Sequence, residues 1–179
     1  MGINEIDLSN NKCVFLDRDG VLNKDFVDYA YSLDKFHIIE GVGESLRILK
    51  QKGYLLVVIT NQSGIAKGIY TREDMHVCHD YLQQETGHLI DHIYYSPHHP
   101  SFSESLTRKP ESLMFEKAIA KFDVDISQSW MVGDKLRDMQ PAIKVGLKTI
   151  QVDGHDDKIA DHVAPDLISA AKYIISIED

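Results

Sequence analysis

Cysteine is scarce: Cys13 and Cys78 are the only two in 179 residues. Two thiols so far apart make neither a disulfide framework nor a metal-ligand spacing, and a reducing cytoplasm is the expected location. No apolar run approaches the length of a membrane span, and no signal-peptide pattern opens the chain, so no membrane partner is expected. Basic residues are outnumbered, 19 against 28 acidic, for a net charge of −9. That balance disfavours nucleic acid and anionic lipid as main partners, although a local cationic pocket could still take a small anion. Proline- or serine-rich linkers, internal repeats and low-complexity tracts are all missing. With 43% hydrophobic and 26% charged residues, the chain reads as a single monomeric globular domain over 1–179.

What is present alternates between short apolar runs and helical periods. Residues 13–16, 54–60, 92–96, 129–134 and 148–152 read as strands, and "YLLVVIT" is rich in β-branched residues, as a strand buried on both faces should be. Helices are expected over 42–52, stopped by Gly53, and beyond Thr71, whose partner Asp74 suggests a cap for a helix carrying Met75, Cys78 and Leu82. Further helices are expected from Pro110 to about 122, with Leu113, Met114, Ala118 and Phe122 inward, then over 137–145 and 166–177. Strands alternating with helices predict an α/β, Rossmann-like three-layer sandwich around a mostly parallel sheet. Ligands of such sheets bind at the carboxyl ends of the strands. Asp17, Thr60 and Asp134 each stand where an apolar strand stops, so three strands should deliver polar groups to one edge.

Those groups suggest a chemistry. The two carboxylates of "DRDG", Asp17 and Asp19, would repel and raise each other's pKa unless a cation relieved them. Oxygen-only ligands suit Mg²⁺, and Asp134 in "VGDKLRD" could add a third carboxylate, with Asp138 one turn further on. An aspartate beside a metal can also attack phosphorus. Asp and Gly are ordinary turn residues as well, so this motif does not decide alone.

Four motifs in order do more. "DRDGVLN", "VVITNQSG", "RKP" and "MVGDKLRD" resemble the four motifs of haloacid-dehalogenase-like (HAD) phosphatases over nearly the whole chain. "TNQSGIAKG" and "IYYSPHHP" narrow the resemblance to the heptose-bisphosphate and histidinol-phosphate phosphatases. The resemblance implies Asp17 as nucleophile and Asp19 as general acid and base. It further implies Thr60 and Lys109 as holders of the phosphoryl oxygens, and Mg²⁺ on Asp17, Asp134 and the carbonyl of Asp19. Asn61, Gln62, Ser63, Arg108 and Lys135 are expected to face the substrate, with Asp25 and Tyr29 as sugar contacts. Lys67 reads as a surface lysine, and Asp138 as a hydrogen-bonding neighbour of the metal site rather than a ligand.

One stretch departs from the pattern. Members of this family often bind zinc on the loop before the Arg-Lys pair, through cysteines and a histidine. Here "SPHHPSFSESLTRKP" puts Ser96, Ser105 and Thr107 at the cysteine positions, and only His98 matches. Hydroxyls do not replace thiolates on zinc, so no zinc is expected, and Pro97, Pro100 and Pro110 could stiffen the loop instead. No long insertion separates the motifs, so no cap domain is expected. Ser63 stands where histidinol-phosphate phosphatases tend to carry an acid, which favours a small phosphorylated sugar, a bisphosphate, over an aminium substrate. Histidinol phosphate, and a silent sugar-phosphate binding module, are the alternatives.

Overall fold

Six strands hydrogen-bond in the order β3-β2-β1-β4-β5-β6, every neighbouring pair parallel, in a computed structural model that describes residues 10–153 and 157–177. The N-terminal stretch expected to lack a leader lies outside the described residues. The strands are β1 (Cys13–Leu16), β2 (Leu55–Asn61), β3 (His92–Ser96), β4 (Trp130–Gly133), β5 (Lys148–Gln151) and β6 (His162–Val163). Between them run α1 (Val42–Gln51), α2 (Arg72–Glu85), α3 (Leu113–Phe122) and α4 (Leu136–Lys144), and α5 (Leu167–Ser176) closes the fold. The chain walks outward from β1 through β2 to β3, then returns to lay β4 against the other side of β1. The β1/β4 seam is therefore the point where strand order reverses, and a crevice opens there beyond the carboxyl ends.

Strand alternation sorts the core into two halves. Val14, Leu16, Leu56, Val58, Val132 and Ile150 face one side, where α1, α2 and α5 bring Leu46, Leu49, Cys78, Leu82, Ala171 and Ile174. Cys13, Phe15, Val57, Ile59 and Met131 face the other, against Met114, Phe115 and Ala118 of α3 and Met139 and Ala142 of α4. Each fully buried Leu, Ile or Phe stabilises by about 1.5–3 kcal/mol, so this two-sided cover fixes the sheet rigidly beneath the crevice. The expected capping box is present: the Thr71 hydroxyl accepts from the Asp74 N–H at 3.1 Å, and the Asp74 carboxylate from the Thr71 N–H at 2.8 Å.

The expectation for α3 needs correction, and one strand was not expected. Pro110 does not open α3; the chain first makes a turn closed by the Glu111 N–H on the Arg108 carbonyl at 2.8 Å, and the helix starts at Leu113. Its buried face consequently carries Met114, Phe115 and Ala118, while Leu113 and Phe122 are half-buried. The two-residue strand β6 has too few residues to show any periodicity in sequence. Among the described residues no helix is long and apolar enough to cross a membrane.

Candidate active site

Asp17 is the first residue past β1, and its N–H continues the ladder by donating to the Val132 carbonyl at 3.0 Å. That bond ties the end of β1 to β4 at the seam. Next, the chain turns sharply at Gly20 (φ 91°), where a side chain is excluded: a Cβ would stand 2.3 Å from Asp134 Oδ2. Glycine here is what lets Asp134, just past β4, pack against the Asp17–Gly20 loop. Oxygen atoms of Asp17, Asp134 and Asp138 lie within 4.8 Å of one another, all three residues buried.

Lys109 reaches this cluster from the loop before α3. Its Nζ, essentially fully buried, meets Asp17 Oδ1 at 2.8 Å, Asp138 Oδ1 at 2.6 Å and the Ile59 carbonyl at 2.7 Å. Burial alone would discharge a lysine; the carboxylates of Asp138 and Asp17 outweigh it and hold the ammonium protonated. Asn61 sets the depth of Lys109: its amide donates to the Lys109 carbonyl and accepts from the Lys109 N–H, both at 3.0 Å. Asp138 also caps α4, accepting from the Lys135 N–H at 3.1 Å. Asp138 thus makes both an ion pair with Lys109 and a backbone hydrogen bond at the start of α4.

The carboxylates are short of positive charge. Burial, then the charge of Asp138, pushes Asp17 up to about 6 despite Lys109. Burial and then Asp17 raise Asp134 as well, and Asp134 Oδ1 is a buried oxygen with no hydrogen-bond partner among the described residues. An orphaned carboxylate oxygen in a buried cluster of oxygen donors fits Mg²⁺ on Asp17 and Asp134. Lys135 bridges Asp134 Oδ2 at 2.8 Å and Asp25 Oδ2 at 2.5 Å.

Asp19 is held differently. Arg18, between the two aspartates of "DRDG", turns inward and is only 1% exposed. Its guanidinium donates to Asp19 Oδ1 at 2.9 Å and to the Ala30 carbonyl at 3.1 Å, and meets His79 Nε2 at 3.2 Å. Asn23 adds a bond to Asp19 Oδ1 at 2.9 Å and Gln62 one to Oδ2 at 3.0 Å. Burial alone would raise Asp19; Arg18, Asn23 and Gln62 reverse that and hold it below the usual carboxylate range. Gln62, expected to face substrate, is buried with both ends in use, donating to Asp19 and Thr60 Oγ1 and accepting from the Tyr70 hydroxyl. It braces the site from within.

Above the cluster opens a cavity of about 310 Å³. Of the residues expected at the site, Asp19, Asp25, Tyr29, Asn61, Ser63, Arg108 and Lys135 line it, whereas Asp17, Thr60, Gln62, Lys109 and Asp134 lie outside that lining. Lys67 is exposed, as expected of a surface lysine, and also borders the cavity, where its Nζ meets the Tyr29 hydroxyl at 2.8 Å. His99 and Arg137 line the cavity too, and sequence reasoning missed both. A larger hollow of about 540 Å³ lies behind Arg108 under residues 100–111, but holds none of the aspartates.

The loop carrying Arg108 is tied down by hydroxyls. Thr107 Oγ1 lies 3.0 Å from Ser96 Oγ and 2.8 Å from Ser105 Oγ, so the three residues at the cysteine positions do converge, as a hydrogen-bonded cluster.

The HAD-hydrolase-like family profile matches residues 106–174. Over 179 aligned residues the chain is 40% identical to D-glycero-beta-D-manno-heptose-1,7-bisphosphate 7-phosphatase of Haemophilus ducreyi, an alignment covering 91% of this chain and 98% of that enzyme. It is 38% identical to the D-glycero-D-manno-heptose-1,7-bisphosphate 7-phosphatase of Chlorobaculum tepidum, covering 94% and 96%. Among solved structures, D,D-heptose 1,7-bisphosphate phosphatase from B. bronchiseptica, complexed with magnesium and phosphate, is similar with a TM-score of 0.85 and 28% identity. That match covers 93% of this chain and 99% of the other.

Proposed function

The chain belongs to the HAD-like phosphatases, among the D-glycero-D-manno-heptose-1,7-bisphosphate 7-phosphatases, and on that premise we propose that it is a Mg²⁺-dependent phosphomonoesterase releasing the 7-phosphate of this sugar bisphosphate. The observation that carries the reading is the buried Lys109, bonded at once to Asp17 and Asp138 beside an orphaned oxygen of Asp134. A binding protein gains nothing from so costly a cluster of charges.

In this reading Asp17 attacks the phosphorus, the sugar oxygen leaves, and an aspartyl-phosphate forms. Mg²⁺, held by Asp17, Asp134 and the Asp19 carbonyl, would offset the negative charge of nucleophile and phosphate. Lys109 and the Thr60 hydroxyl stabilise the transferring oxygens, and Lys109 is prepositioned because Asn61 and Asp138 fix it before substrate arrives. Asp19 protonates the departing oxygen and then takes a proton from the water that cleaves the intermediate. Without substrate, Arg18, Asn23 and Gln62 keep Asp19 ionised. An incoming phosphate dianion raises its proton affinity, so the proton arrives with the substrate.

The cavity supports a bisphosphate over histidinol phosphate. Asp25 and Asp19 are already paired with Lys135 and Arg18, leaving no carboxylate in the wall for an aminium group. Parallel kcat/KM measurements with heptose 1,7-bisphosphate and histidinol phosphate test this. The bisphosphate should be favoured at least ~10-fold, the worth of one charge-assisted contact. Equal or better turnover of histidinol phosphate would reverse the choice.

A further inference from the structure

Among the described residues, Arg108 and Arg137 of the cavity wall have no carboxylate partner. Arg108 gives one N–H to the His98 carbonyl at 3.0 Å and has no carboxylate partner among the described residues. Arg137, in the first turn of α4, is half-buried, and its Nε is enclosed without an acceptor. Its nearest acidic neighbours in sequence are committed elsewhere, Asp138 to Lys109 and Asp134 to Lys135. The two guanidiniums are close enough that, after burial, Arg137 is the main influence pulling the pKa of Arg108 down.

The arrangement is electrostatically unfavourable for the fold. A cation in the first helical turn opposes the macrodipole, and two unpaired like charges repel each other. Such an arrangement persists where an anion is meant to complete it. That anion is not the phosphoryl group attacked by Asp17, because Asp17 and Lys109, joined at 2.8 Å, lie together outside the lining of the cavity that Arg108 and Arg137 share. The charge available to a ligand in the wall rests on Lys67, Arg108 and Arg137.

We propose that Arg137 and Arg108 form a paired-guanidinium seat for the phosphate that is not hydrolysed, and that Arg137 sets the preference for a bisphosphate over a monophosphate. This rests on the phosphatase reading above and specifies how its substrate is chosen. Two guanidinium forks can grip the oxygens of one phosphate bidentately, which a lysine cannot do.

Arg137→Gln and Arg137→Lys test the proposal, each assayed with Mg²⁺ on heptose 1,7-bisphosphate and on p-nitrophenyl phosphate. Arg137→Gln should raise KM for the bisphosphate at least ~10-fold while changing kcat little, with p-nitrophenyl phosphate turnover unchanged. Arg137→Lys should recover part of the loss. The melting temperature should stay level or rise, since the helix loses an opposing charge; a merely structural arginine would lower it. If the wild type prefers the bisphosphate and Arg137→Gln keeps that preference, or loses both activities alike, the seat is refuted. If the wild type itself shows no preference for the bisphosphate, the substrate reading fails first and the seat falls with it.

Discussion

Gly20→Ala is a small change aimed at the joint between the two aspartate-bearing loops. The new Cβ would stand 2.3 Å from Asp134 Oδ2 and 2.6 Å from its Cγ, well inside the 3.0 Å that real Cβ atoms keep. The carboxylate must therefore retreat by about 0.7 Å merely to reach that limit, against a Mg²⁺–oxygen bond of about 2.0–2.1 Å that tolerates little distortion. The positive φ of 91° adds strain of about 1–2 kcal/mol for an L-residue. A misplacement near 1 Å at a reaction centre costs about 100-fold in rate, close to 2.7 kcal/mol of barrier. Gly20→Ala should thus lose about two orders of magnitude in kcat/KM and at least ~10-fold in Mg²⁺ affinity by calorimetry. Gly87→Ala separates strain from displacement, because Gly87 also has positive φ (68°) but open space around its missing Cβ. It should lose stability and keep full activity. A Gly20→Ala enzyme with wild-type Mg²⁺ affinity and rate would show that Asp134 does not need its observed position.

Further outcomes follow from the same geometry. Asp17 in the metal-free protein is pushed up to about 6, mainly by burial, so its folded pKa exceeds the unfolded value. Ionising it then costs stability as pH rises from about 4 through 6. His79, lowered to about 3 chiefly by burial, pulls the opposite way over this range. The difference between wild type and Asp17→Asn is therefore the quantity to read. The metal-free variant should melt higher than wild type above pH 6, and the gap should close toward pH 4; a gap independent of pH would contradict the assignment. Mg²⁺ should likewise bind more weakly below pH 6. Asn61→Ala should lower kcat about 10-fold or more by releasing Lys109 from its clasp, with smaller change in KM. Elemental analysis of the purified protein should find no stoichiometric zinc, and one zinc per chain would refute the hydroxyl reading of Ser96, Ser105 and Thr107.

The sheet and its catalytic edge were readable because apolar strands end abruptly. Asp17, Thr60 and Asp134 are polar groups that each follow a run of apolar residues, and a parallel sheet gathers such positions at one end. What stayed hidden was the direction in which polar side chains turn once the chain leaves a strand. Nothing local in "DRDG" marks Arg18 as inward, yet it is held there by Asp19, His79 and the Ala30 carbonyl. Gln62 and Asn61 looked like substrate contacts; Gln62 is buried as a brace, and Asn61, though in the wall, spends its amide on Lys109. Arg137 carries a local signal in sequence, a cation in the first turn of α4 that opposes the helix dipole. The hydrogen bond of Lys67 to Tyr29 joins loops 38 residues apart, a pairing no local pattern shows.

The central claim is that Asp17 carries the phosphoryl group, and rapid-quench single turnover measures that directly. Heptose 1,7-bisphosphate labelled with ³²P at position 7, mixed with excess enzyme and Mg²⁺ and quenched in acid within milliseconds, should leave label on the protein. Hydroxylamine should release it, and peptide mapping should find it on Asp17. Asp17→Asn should trap none and turn over none, while Asp19→Asn should slow both formation and loss of the label. Inorganic phosphate appearing at full rate with no label ever on the protein, or label on a residue other than Asp17, would contradict the account.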